Sequence, residues 1–188
     1  MLIIGLAGRA GSGKTAAAKH LEEKFGFRRV SIAMPIKEAA IQFFGCTHEE
    51  VYETKPPHVR TIMQGLGMFV RELKRSFWLE RLPFYNERLK KRRLPFNVNW
   101  VIDDLRLKDE AQVLKTDYDA ILVKIICPDA PVDHMLTDEQ KAHPTEAEVD
   151  SIEADYIINL PYGNVGRLKE EIEAIASKHI PRPMGVKE

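Results

Sequence analysis

The chain has 188 residues, 44% of them hydrophobic and 30% charged, which suits one core and does not call for a second domain. Its 28 Lys and Arg balance 28 Asp and Glu, so the molecule lacks the net positive field of a general nucleic-acid binder. No apolar run approaches the length of a membrane span, and no basic stretch precedes a long apolar one as in a secretory leader; both point to a cytoplasmic protein without a membrane partner. Cys46 and Cys127, widely spaced among apolar residues, read as buried reduced thiols.

The charge is unevenly spread. Lys55 to Arg93 holds eleven Lys or Arg against three Glu, and Asp129 to Asp155 holds nine acids against Lys141. Two oppositely charged lobes flanking one site, or two solvated surfaces of opposite sign, both satisfy that count.

In chain order, Leu2 to Ala7 reads as a buried strand, and Ala16 to Phe25, closed by Gly26, as a helix. Between them, Gly8-Arg9-Ala10-Gly11-Ser12-Gly13-Lys14-Thr15 fits G-x-x-x-x-G-K-[ST], a phosphate-binding P-loop in its required context of strand, glycine loop and helix. Its glycines let backbone N–H groups approach phosphate oxygens, and the helix N-terminus favours an anion. In such a loop Lys14 reaches the β- and γ-phosphates of ATP and the Thr15 hydroxyl completes a Mg²⁺ shell.

Phe27 to Ile32 reads as a strand and Ile36 to Phe44 as a helix stopped by Gly45. Thr47 with Glu50 is a capping box that opens a short helix near His48 to Glu53. Helical spacing then runs from His58 to about Trp78, where Gly65 and Gly67 predict a kink or break, and a second helical stretch runs from Trp78 to the basic cluster Lys90-Lys91-Arg92-Arg93. Phe69, Phe77 and Trp78 read as packing residues. Val98 to Ile102 is a strand running into Asp103-Asp104-Leu105-Arg106; Asp109 to Lys115 is a helix and Ala120 to Ile126 a strand. Pro128 to Pro144 reads as a loop, Thr145 with Glu148 as a capping box, Tyr156 to Asn159 as a last strand, and Arg167 to His179 as a closing helix before a loose tail. Alternating strands and helices imply an α/β three-layer sandwich of the P-loop NTPase type, with about five parallel strands and ligands at their carboxyl ends.

A P-loop site also needs a carboxylate at the end of a second buried strand. Asp103 and Asp104 supply it; alternation along a strand directs one to the metal, with Asp103 preferred, and the other to a turn or to substrate. Arg106 clamps a phosphoryl group, or forms a surface ion pair with Glu110 at i,i+4. Lys37, Arg60 and Arg71 are candidate cations for a second phosphorylated molecule, and Gln64, on the Arg60 face of its helix, can read a base edge.

With these residues the chain resembles the P-loop nucleoside monophosphate kinases, most closely the bacteriophage-type deoxynucleoside monophosphate kinases. The resemblance runs through the P-loop, Ser31 to Lys37, Arg60 with Gln64-Gly65-Leu66-Gly67, Trp78, Asp103 to Arg106 with Glu110, His143-Pro144-Thr145-Glu146 and Asp155 to Asn159. It implies transfer of the ATP γ-phosphoryl group, with Mg²⁺, to a nucleoside or deoxynucleoside monophosphate. It also implies a helical monophosphate-binding insertion over about Thr47 to Pro95, a lid over about Asp129 to Thr145, an adenine-bordering loop from Asn159 to Gly163, and a role for His143 and Glu146 at the lid hinge or on phosphate, unless they form only a helix entrance. The chain departs from the family's pattern in one respect: Pro128 to Glu146 holds no arginine. Arg9, Arg106 or an arginine of the basic lobe would have to supply that charge. A kinase of another phosphorylated acceptor, of the dephospho-coenzyme A or phosphomevalonate type, and a nucleotide-binding switch or assembly ATPase are the rival readings. A homodimer is left open.

Overall fold

The computed structural model describes residues 1–84, 98–131 and 148–180. Five strands form one parallel sheet: β1 (Ile3–Ala7), β2 (Arg28–Val30), β3 (Trp100–Leu105), β4 (Ile121–Ile126) and β5 (Tyr156–Asn159), in the order β2-β3-β1-β4-β5. The central strand β1 is buried along its whole length, as a strand covered on both faces must be. Its odd residues Ile3 and Ala7 join one core cluster and its even residues Ile4 and Leu6 the other.

The even side is closed by α1 (Lys14–Phe25), through Ala17, Ala18 and Leu21, and by the last helix, Val165–His179, through Leu168, Ile172, Ile175 and Ala176. The odd side is closed by α2 (Met34–Phe44), through Ile36, by the helix Lys108–Tyr118, through Ala111 and Leu114, and by Trp78, Leu79, Leu82 and Phe84. Numbered in chain order, with α3 at Pro57–Leu73, the Lys108–Tyr118 helix is α4 and the Val165–His179 helix α5. Each fully buried Ile or Leu contributes about 1.5–3 kcal/mol, so the two clusters are the main source of stability. The three-layer α/β reading therefore holds, with strand ends shifted by a few residues from those expected.

A third, small cluster of Ala40, Cys46, Val51 and Val59 joins α2, a one-turn helix at Glu50–Thr54 and α3. The expected capping box opens that turn: the Thr47 N–H donates to Glu50 Oε2 at 2.8 Å, and the Glu50 N–H to Thr47 Oγ1 at 3.2 Å.

Several expectations are corrected. Gly65 and Gly67 do not break α3, which runs unbroken from Pro57 to Leu73. Gly67 is there for clearance: a Cβ on it would stand 3.0 Å from Arg71 Nη1 and 3.3 Å from Ile36 Cδ1, and its carbonyl accepts from Trp78 Nε1 at 3.2 Å. α3 ends at Leu73, short of the expected Trp78; a turn and a 3₁₀ stretch at Leu79–Arg81 follow, and Pro83 and Phe84 are again helical where the described residues end. Phe69 is 60% exposed and so is not a packing residue, while Trp78 is buried. Cys46 is buried as expected, but Cys127 is only half-buried. The expected continuation to Lys91, the Lys90 to Arg93 cluster, Lys141, the Thr145 cap, His143, Glu146, most of the 129–145 loop and the tail lie outside the described residues.

Candidate active site

The carboxyl ends of the strands converge on a cleft of about 530 Å³. Its floor is the P-loop. Gly8, Gly11 and Gly13 have φ of 151°, 75° and 99°. A Cβ on Gly8 would stand 2.4 Å from the Ile125 carbonyl oxygen and 2.6 Å from Ser12 Oγ, so only glycine closes the loop against β4. Lys14 is buried, and its ammonium donates to the carbonyls of Gly8 and Arg9 at 2.7 Å each, with Ser12 Oγ at 3.5 Å. Burial first, and then the nearby Arg106 charge, hold the Lys14 ammonium down at about 7, against the partial opposition of Asp104 and Asp103. Ala10, Gly11 and Thr15 line the same floor. Arg9 points away: it is exposed and forms an ion pair with Asp150, its Nε lying 3.2 Å from both carboxylate oxygens.

The wall beside the P-loop comes from β3. Pairing with β1 matches Gly5 to Ile102 but Ala7 to Leu105, so three steps on β3 answer two on β1. The extra residue falls at Asp103–Asp104 and breaks the alternation expected of a plain strand end. Both carboxylates line the cleft, although simple alternation along β3 would direct them to opposite sides. They do different things. Asp104 accepts from Ser31 Oγ at 2.6 Å and from the backbone N–H groups of Ile32 and Ala33 at 2.8 Å each, tying down the turn that opens α2. Asp103 forms a long ion pair, 3.8 Å, with Arg29 Nε. Burial and then the adjacent Asp104 carboxylate push Asp103 up to about 6.

The opposite wall belongs to α2 and α3 and is cationic: Lys37, Lys55, Arg60, Arg71 and the β3-end residue Arg106 all line the cleft, with Met63 and Gln64 between them. Lys37 Nζ lies 4.8 Å from the centre of the Tyr52 ring. Arg60 Nε donates to the Lys55 carbonyl at 2.7 Å, and burial lowers the Arg60 pKa. Burial also lowers that of Arg106, opposed by Asp104 and Glu110. Glu110 is buried and pairs with Arg71, Nη2 to Oε1 at 2.9 Å, so the surface ion pair with Arg106 is not what Glu110 makes. Burial raises the Glu110 pKa while Arg71 opposes it.

Every residue expected at the acceptor side, Lys37, Arg60, Gln64, Arg71, Asp104 and Arg106, thus meets the P-loop across one cleft. Asn159 and Gly163 are exposed at the end of β5, outside the lining; Tyr162 and Pro131 are the cleft residues of that rim. The Tyr162 N–H donates to Asp129 Oδ1 at 2.8 Å, which joins the loops after β4 and β5. Sequence reasoning missed Lys55 and Glu53 as cleft residues. Lys55 carried one usable signal, its place immediately before Pro56-Pro57, where the chain must turn.

Among the described residues no group of three or more His, Cys, Asp or Glu converges as a metal cage, and no helix is long and apolar enough to cross a membrane. No protein-family model matches the chain. A curated protein of Acanthamoeba polyphaga mimivirus, named "Putative deoxynucleotide monophosphate kinase", is 29% identical over 185 residues, covering 84% of this chain and 87% of that one. Among solved structures, a shikimate kinase from Acinetobacter baumannii in complex with shikimate is 17% identical with a TM-score of 0.49, covering 96% of each chain. A sugar kinase from Janibacter sp. is 11% identical with a TM-score of 0.45, covering 95% of this chain and 93% of that one. Likenesses this distant attach no substrate to the chain. The protein has a five-stranded parallel α/β three-layer fold with a P-loop after β1, and along most of its length it is similar to the mimivirus protein named a putative deoxynucleotide monophosphate kinase.

Proposed function

We propose that this protein transfers the γ-phosphoryl group of ATP to a nucleoside or deoxynucleoside 5′-monophosphate, giving the diphosphate and ADP. The observation that carries this reading is the facing of two groups of residues across one cleft: Lys14 with Ala10, Gly11 and Thr15 of the P-loop on the floor, and Lys37, Arg60, Arg71 and Arg106 on the wall. A single-nucleotide hydrolase has no use for the second grip. The mimivirus relative's name adds support for a nucleotide acceptor.

The residues fit the cofactors that the reaction requires. Glycine at position 8 lets the loop close tightly against β4, and the Lys14 ammonium is held at the floor of the cleft by the Gly8 and Arg9 carbonyls, where phosphate oxygens would be stronger acceptors. Thr15 and Asp103 are the oxygen donors available to Mg²⁺, too few for an all-protein cage, as suits an ion that keeps waters and phosphate oxygens. Bound there, ATP would supply the phosphoryl group, and Mg²⁺ held by Thr15 and Asp103 would supply positive charge against the phosphates.

The chain's own residues then position and neutralise. Lys14 exchanges its loop carbonyls for phosphate oxygens; Arg106, between floor and wall, neutralises charge where the two phosphates approach; Arg60 and Arg71 hold the acceptor phosphate, and Gln64 its base. No general base is needed, because the attacking oxygen is already anionic. What the site must offset is repulsion between two polyanions, and aligned cations in a desolvated cleft do that. The segments 47–95 and 129–145 serve in this reading as the acceptor-binding insertion and the lid, and Asn159 to Gly163 as the border of the adenine pocket.

The test is an ADP-release assay over the common ribo- and deoxyribonucleoside monophosphates, with product identification. ADP and a matching diphosphate from at least one acceptor are expected; ADP release that is indifferent to the acceptor rejects the proposal. Arg60→Ala should raise the acceptor KM more than the ATP KM.

A further inference from the structure

Lys55 holds a backbone conformation that lysine adopts reluctantly. Its φ and ψ are 47° and 59°, and among the described residues only Asp119 shares a positive φ without being glycine. Asp119 ends α4, where a short polar side chain tolerates that geometry. Lys55 has no such excuse. The turn itself requires the left-handed residue, because the Lys55 N–H closes the Glu50–Thr54 helix on the Glu50 carbonyl at 2.9 Å before Pro56 and Pro57 start α3. Glycine would make that turn without strain, so the retained side chain points to a use.

The side chain runs, half-buried, along the cleft wall. Among the described residues no acceptor lies within hydrogen-bonding reach of its ammonium, although Lys14, Arg60 and Arg71 all have one. Burial, and then the like charges of Lys37, Arg60 and Arg106, lower its pKa; Asp103 opposes them most weakly. A desolvated cation among cations is stabilised by an anion in the cleft and by little else.

We infer that Lys55 grips the phosphate monoester of the acceptor molecule, from a strained turn that also fixes Arg60 through the Lys55 carbonyl. This rests on the two-grip reading of the cleft given above. Lys55 adds a positive charge to a site whose 128–146 segment has no arginine.

Lys55→Gly separates the side chain from the turn, because it keeps the carbonyl that holds Arg60 and relieves the strain. The variant should melt about 2–4 °C higher than the natural protein. Its acceptor KM should nevertheless rise about tenfold or more, since a hydrogen bond to a charged group is lost, with the ATP KM within about twofold. Lys55→Arg should recover most of the acceptor affinity. An acceptor KM unchanged in Lys55→Gly, or an equal rise in both KM values, overturns the assignment. If the natural protein makes no diphosphate from any monophosphate, the proposed reaction fails by itself. Calorimetric titration with inorganic phosphate then decides Lys55 separately: weaker binding to Lys55→Gly supports the grip, and equal binding overturns it.

Discussion

Arg71 of α3 and Glu110 of α4 meet at 2.9 Å in the wall of the cleft, with the Glu110 side chain 3% exposed and that of Arg71 21% exposed. This pair ties α3, which carries the proposed acceptor grip, to α4, which packs on the sheet beside the P-loop. Arg71 Nε is buried beside it and finds no hydrogen-bond partner among the described residues.

Glu110→Ala would leave that guanidinium uncompensated, and removing one partner of a buried pair costs about 3–5 kcal/mol. Because Arg71 keeps some exposure, the lower end is expected. Glu110→Gln, which retains an acceptor oxygen, should cost less. Denaturant midpoints of the two variants check this, and equal small losses in both would show that the pair is not what holds α3 in place.

Asp104 is expected to matter to the fold as well as to the site. Its carboxylate accepts three hydrogen bonds from Ser31, Ile32 and Ala33. Asp104→Ala should destabilise by about 2–4 kcal/mol, given about 1.5–3 kcal/mol for a hydrogen bond to a charged group and partial replacement by water. Lys37 follows that turn directly, so the acceptor KM should rise in the same variant. Thermal melts and initial-rate kinetics read both effects.

How far the sequence carries the reader can be judged from this β3 end. The glycine loop, its strand and its helix were legible, because glycine spacing and apolar runs are local signals. The presence of carboxylates on a neighbouring strand was legible too. Their arrangement was not: the extra residue that brings Asp103 and Asp104 to one cleft exists only in the pairing of β3 with β1. Similarly, propensity counts Gly65 and Gly67 as helix breakers, whereas the close approach of Ile36 from α2 and of α3's own Arg71 side chain explains why Gly67 sits inside an intact helix. Glu110 looked like a surface partner at i,i+4 of Arg106, and only the tertiary placement of α3 gave it to Arg71. Pro56-Pro57 signals a turn at Lys55, but the left-handed conformation there and the placement of the side chain in the cleft follow from no sequence signal.

Gly8→Ala should disable the P-loop. The added Cβ would overlap the Ile125 carbonyl at 2.4 Å, and φ of 151° disfavours any Cβ. Loss of ATP binding in a titration is expected, together with a fall in melting temperature. Unimpaired ATP binding would mean that the loop has another way to close.

The pH dependence follows from Lys14. Its ammonium, ordinarily near 10.5, sits at about 7 in the free cleft, and a bound triphosphate favours its charged form. Above pH 7 the free protein has largely lost that proton and must regain it on binding. ATP affinity should therefore be level below about pH 7 and fall as pH rises above it, with proton uptake near pH 8. Calorimetry in buffers of different ionisation enthalpy measures that uptake, and proton release would contradict it.

The central claim is that one lysine on the cleft floor serves a phosphoryl transfer between two bound anions. Lys14→Ala is suited to test it, because removing a buried, partly discharged lysine should leave the melting temperature unchanged or slightly raised. The measurement is mass detection of the diphosphate formed from ATP, Mg²⁺ and a set of monophosphates, by the natural protein and by Lys14→Ala side by side. The account predicts a diphosphate from the natural protein and none from the folded variant. Equal diphosphate from both, or none from either, would contradict it.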